Sequence, residues 1–79
     1  MIKQFTSYAA IEWLKMNEVF IVGKPKSGYD ICRYLGKNNA GKNTIAYMAL
    51  SILELQDAVN IAETYAGFRI NTKPSKCSN

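Results

Sequence analysis

Between Pro25 and Lys37 the chain reads Ser27-Gly28-Tyr29-Asp30-Ile31-Cys32-Arg33-Tyr34-Leu35-Gly36. Whether this segment is helical or extended determines how everything around it packs. Its ends read as helix punctuation. Ser27 can cap a helix start, and Asp30 lies three residues on, a weak capping box. Gly36 stands where a left-handed C-terminal residue belongs. Tyr29, Ile31, Cys32, Tyr34 and Leu35 supply apolar surface. The spacing therefore predicts a two-turn helix over 27–36.

The flanks extend this reading. Lys37 to Gly41, rich in Asn and Gly, is a turn. From Lys42 to Leu55, Ile45, Met48, Ala49, Ile52 and Leu53 fall at spacings of 3, 1, 3 and 1, the stripe of an amphipathic helix. Upstream, Glu18 to Val22 is β-branched and aromatic, a short strand closed by Gly23 and Pro25. Ser7 to Asn17 reads as a first helix, with Tyr8, Ile11 and Leu14 at helical spacing and Trp13 at its edge. Downstream, Val59 and Ile61 alternate with Asn60 and Ala62. Phe68 and Ile70 alternate with Arg69 and Asn71 beyond the turn Tyr65-Ala66-Gly67. This predicts a hairpin over 59–73. The expected fold is α+β: a winged helix-turn-helix of three helices, a short strand and a C-terminal β-hairpin wing. Residues 1–73 would form one domain, and residues 74–79 a flexible tail.

Composition narrows the function classes. The chain has 79 residues, is 48% hydrophobic and contains no histidine. One domain and one modest core are all that fit. Cys32, beside Ile31, reads as a small buried residue, and Cys77 as an exposed thiol. Two distant cysteines without histidine do not make a zinc site, and no nucleophile has an obvious base. We therefore expect no metal, no cofactor and no enzymatic activity. Gly36-Lys37-Asn38-Asn39-Ala40-Gly41-Lys42 matches the start of a phosphate-binding loop. Asn43 follows where a Ser or Thr should hold Mg²⁺, so nucleotide hydrolysis is not expected. No apolar run approaches the ~20 residues that span a bilayer, and no secretory leader is read at the N-terminus. The expected location is cytoplasmic.

Ten Lys and Arg against six Asp and Glu give a net charge of +4. Lys24, Lys26, Arg33, Lys37 and Lys42 stand against Asp30 alone between positions 24 and 42. A concentrated basic stretch is the electrostatic footprint of a phosphate-backbone binder. Double-stranded DNA is the expected partner. The 42–55 helix would enter the major groove, where Asn43 reads a base edge, Lys42 reaches guanine or a phosphate, and Thr44 and Tyr47 touch phosphate or a thymine methyl. Ser27 and Lys37 would anchor the backbone, with Arg69 and Tyr65 acting from the wing. Phe5, Tyr8 and Trp13 are the candidate homodimer surface. The alternative is a protein-binding module, either an adaptor or a phage- or plasmid-type inhibitor of a host factor. The absence of arginine from the 42–55 segment and the exposed position of Leu50 favour it.

The run 27–36, together with Lys42-Asn43-Thr44-Ile45, Ile52-Leu53 and Gly67-Phe68-Arg69-Ile70, resembles small bacterial winged helix-turn-helix transcription regulators. Ala10-Ile11-Glu12-Trp13 and Thr44 to Tyr47 are similar to the carnitine-operon activator type, and the overall size is similar to the fimbrial-operon type. The resemblance covers residues 8–73 and implies regulation of transcription through DNA.

Overall fold

The strand expected after Glu18 is the centre of the molecule. In the computed structural model, which describes residues 2–67, strand β2 spans Val19–Lys24, with Val19, Phe20, Ile21 and Val22 all buried. Four consecutive buried apolar residues cannot come from a sheet with one wet face, because alternate side chains point to opposite sides. Both faces of β2 are covered. Strand β1, Lys3–Phe5, pairs with it in parallel, and β3, Gly28–Lys37, pairs with it antiparallel. Strand β4, Asn43–Ile52, pairs antiparallel with β3 and forms one edge of the sheet, with β1 at the other, giving the order β1-β2-β3-β4. Helix α1, Leu55–Ala66, packs on one face. On the other lies the crossover from β1 to β2, which holds a single 3-10 turn at Tyr8–Ala10.

This architecture replaces the winged helix. The segments 27–36 and 42–55, expected as helices, are β3 and β4. The expected first helix over 7–17 is one 3-10 turn followed by irregular chain. The expected hairpin from 59 is the body of α1 as far as Ala66. Its second strand, with Phe68, Arg69 and Ile70, lies outside the described residues, as does the tail with Cys77.

The reasons are local. Gly28 has φ 85, so no helix starts there. Beyond it, Tyr29 and Ile31 enter the core under α1, whereas Cys32 and Tyr34 enter the core under the crossover. A two-sided strand looks uniformly apolar and hides its period of two. Gly36 does adopt positive φ, 88, but at a register shift between β3 and β4 rather than at a helix end. The misleading stripe in β4 has a similar cause. Pairing slips between Ile31 and Cys32 and again between Tyr29 and Ile31. These bulges interrupt alternation, so Met48, Ala49 and Ile52 all pack toward α1 while Ile45 packs on the opposite face. Two bulged turns of strand thus imitate a 3.6-residue period.

Helix α1 presents Ala58, Val59, Ile61, Ala62 and Ala66 to the sheet. Ala58 and Ala62 are fully buried, and their small side chains let the helix sit close. Gly67, at φ 87, ends it by donating its N–H to the carbonyls of Glu63 and Thr64. Arg33 reaches across from β3. Its guanidinium donates to the carbonyl oxygens of Tyr65 and Asn17, each at 3.1 Å. A cation at the last turn also opposes the helix dipole. Arg33→Met should therefore lower stability by about 1–2 kcal/mol. Urea denaturation should read this as a lower midpoint with an unchanged slope. Among the described residues no helix is long and apolar enough to cross a membrane.

Candidate functional site

The crossover covers Phe20, Val22, Cys32 and Tyr34 with Ile11 and Leu14. Its path is fixed by backbone bonds at its end. Asn17 donates its N–H to the Tyr34 carbonyl at 2.8 Å, and Tyr34 returns one to the Glu18 carbonyl at 2.8 Å. Midway, Trp13 sits at φ 60, a left-handed conformation that bulky residues rarely adopt. The Lys3 ammonium holds this bend by donating to the Trp13 carbonyl at 2.6 Å, and lies 3.8 Å from a Glu18 carboxylate oxygen. The indole is thrown outward and remains 84% exposed.

Beside it is a pocket of about 320 Å³, formed where the crossover meets the β3–β4 end of the sheet. Ile11 and Leu14 give it apolar surface, and Tyr34 and Asn43 come from the two strands. Glu12, Trp13 and Lys37 complete the lining. The Tyr34 hydroxyl donates to Asn43 Oδ1 at 2.9 Å, which fixes the amide and leaves its two N–H bonds for other use.

The turn that joins β3 to β4 is self-contained. Asn38 Oδ1 accepts from the N–H groups of Ala40 and Lys42 at 2.9 and 3.0 Å, and Gly41 donates to the Asn38 carbonyl. A phosphate-binding loop needs such N–H groups free, and here the Asn38 side chain occupies them. The turn holds Lys37 and Lys42 on either side, both exposed.

Charge divides between the layers. Residues 54–67 contain Glu54, Asp57 and Glu63 and no Lys or Arg, a net of −3. Residues 2–53 contain Lys3, Lys15, Lys24, Lys26, Arg33, Lys37 and Lys42 against Glu12, Glu18 and Asp30, so 7 − 3 = +4. The sheet and crossover are basic and the helical layer is acidic. Helix α1 is therefore the wrong element for a DNA groove, and the expected major-groove docking of a 42–55 helix is lost with that helix.

A second polar cluster is structural in character. The Tyr8 hydroxyl donates to Asp30 Oδ2 at 2.8 Å and lies 3.5 Å from Cys32 Sγ, and its ring stands edge-on to Tyr47 at 5.8 Å. The other Asp30 oxygen accepts from the Ser51 N–H at 3.0 Å. Burial, with the Cys32 and Asp30 contacts added, pushes the Tyr8 hydroxyl far above the usual phenol range. Burial likewise raises the Cys32 thiol. Both stay protonated at neutral pH, so neither offers an anionic nucleophile there.

Of the eight residues expected to contact DNA, the seven that are described do not converge. Lys37 and Asn43 line the pocket, and Lys42 stands next to Asn43 at the sheet's end. Thr44 lies near the same end of β4, half-buried, while Tyr47 is farther along, against Tyr8. Ser27 belongs to the β2–β3 turn at the far end of the ten-residue β3, roughly 30 Å away. Lys24 and Lys26 share that far end, so the basic stretch in sequence is split in space. Tyr65 is in α1, its carbonyl taken by Arg33. Arg69 lies outside the described residues. Of the three candidate dimer residues, Phe5 is half-buried edge-on against Phe20, Tyr8 is exposed but tied to Asp30, and Trp13 is the most open. Glu12, Ile11, Leu14 and Tyr34 were not expected in a site. No protein family, no curated protein and no solved structure matches this chain.

Proposed function

We propose that this protein is a non-catalytic nucleic-acid-binding protein that captures unpaired bases at the Trp13 pocket and takes adjacent phosphates on Lys37 and Lys42. The observation that carries the reading is Trp13. A left-handed backbone costs a bulky residue about 1–2 kcal/mol. An indole 84% exposed gains little burial in return. The bend lets Ile11 and Leu14 pack inward, but the exposed indole itself adds little to that packing, whereas an aromatic platform beside a basic strand end suits base stacking. Bases within a duplex are already stacked and present only their edges. A single strand offers the free faces that an exposed indole accepts.

Labelled single-stranded and duplex oligonucleotides, titrated at several salt concentrations, test this reading. The single strand should bind more tightly, with affinity falling as salt rises. Lys37→Ala and Lys42→Ala should each flatten the salt slope by about 0.7. Lys24→Ala and Lys26→Ala, at the other end of the sheet, should leave it unchanged. Tighter duplex binding, or a slope that only the far-end lysines alter, would overturn the assignment.

A second reading, a protein-binding module, draws on Leu50 and Leu53, which are 58% and 76% exposed at the end of β4 away from the pocket. Exposed apolar groups close together favour a protein partner. That reading predicts no salt-dependent oligonucleotide binding.

A further inference from the structure

We propose that the Trp13 pocket prefers guanine among the bases, an inference that rests on the nucleic-acid reading above. It follows from which hydrogen-bonding groups the pocket leaves free. Asn43 has its oxygen oriented toward the Tyr34 hydroxyl at 2.9 Å, which leaves both amide N–H bonds to donate to a ligand. Glu12, also in the lining, ends in a carboxylate whose two oxygens can take two parallel N–H bonds. Lys37 adds a cation. The pocket thus offers one amide donor and one bidentate acceptor.

The matching ligand edge carries an acceptor beside two adjacent N–H donors. Guanine has this on its Watson–Crick edge. N1–H and the N2 amino group can both donate to the Glu12 carboxylate, and O6 can accept from Asn43 Nδ2. Adenine and cytosine each offer a single amino group beside ring acceptors, so half of the carboxylate goes unused. Thymine and uracil place one N–H between two carbonyls, which a carboxylate repels. Stacking on Trp13 is open to every base and supplies affinity without choice. Discrimination therefore falls to Glu12 and Asn43.

The test uses the full chain and thymidine oligonucleotides of one length carrying a single central dG, dA, dC or dT, read by anisotropy at low salt. The dG oligonucleotide should bind at least about tenfold more tightly than the others, as one good bidentate pair allows. Guanosine monophosphate should compete better than adenosine monophosphate. Glu12→Gln, an exposed and conservative change checked for folding by circular dichroism, should erase the preference. If all four oligonucleotides bind equally, the guanine assignment falls and the nucleic-acid reading stands. A preference that survives Glu12→Gln overturns the role given to Glu12. If none binds, both fall together.

Discussion

Phe20→Ala should leave the protein largely unfolded or close to it, with a loss of about 3–5 kcal/mol. Phe20 is fully buried at the middle of β2, with the Phe5 ring edge-on at 5.9 Å. Among the described residues its face of the sheet is covered by the crossover, through Ile11 and Leu14, together with Phe5 and Ile45. Among the described residues no α-helix backs this side, so little can collapse into the space left by a lost ring. A domain this small has a total stability of roughly 4–12 kcal/mol, so the loss is a large share of it. Urea denaturation measures it directly. A loss below about 1 kcal/mol would mean that the crossover does not seal this face, and the pocket built on it would lose its support.

Trp13→Ala should have the largest effect on binding. Losing one aromatic platform weakens single-strand binding by about 1–3 kcal/mol, roughly fivefold to more than a hundredfold. The same change should scarcely affect folding, because the indole makes little buried contact. Trp13→Gly sharpens the separation. Glycine accepts φ 60 without the steric penalty, and its larger unfolded-state entropy offsets part of that gain. The Gly variant should remain within about 1 kcal/mol of the parent in stability and bind as poorly as the Ala variant. A residue that only held the crossover in place would give the opposite result, with stability lost and binding following it. Oligonucleotide titration and urea denaturation of the same preparations separate the two.

The parts of the fold that could be read from sequence are those where local chemistry decides alone. Val19 to Val22 are four β-branched or aromatic residues in a row, and they form the central strand. Asn38 to Gly41 form the tight turn, because the Asn side chain closes it on its own backbone. Gly36 adopts the positive φ that its position suggested, in a different context. Elsewhere tertiary structure overrides the pattern. Bulges in β4 bring Met48, Ala49 and Ile52 to one side and counterfeit a helical stripe. In α1, Val59 and Ile61 look like a strand because Ala58 and Ala62, the residues buried most completely, are too small to mark a helical face. The site was legible in half. Lys37, Lys42 and Asn43 stand out as basic and polar residues around a turn, and they do gather at one end of the sheet. Trp13 stands out as a candidate dimer residue but not as part of this site, because its exposure beside the pocket comes from a left-handed backbone that no residue type announces. Ser27 depended on a helix start where the chain turns into β3, and Tyr65 on a hairpin turn where the chain is helical.

Trp13 is the single tryptophan of the chain, so its fluorescence reports on the proposed site without a label. The most direct measurement follows that emission while a single-stranded oligonucleotide is added, first at low salt and then with salt restored. The account predicts a solvent-exposed spectrum in the free protein and saturable quenching as a base stacks on the indole. Added salt should reverse it as phosphates leave Lys37 and Lys42. Emission that stays unchanged at saturating oligonucleotide and low salt, in a folded protein, would contradict it.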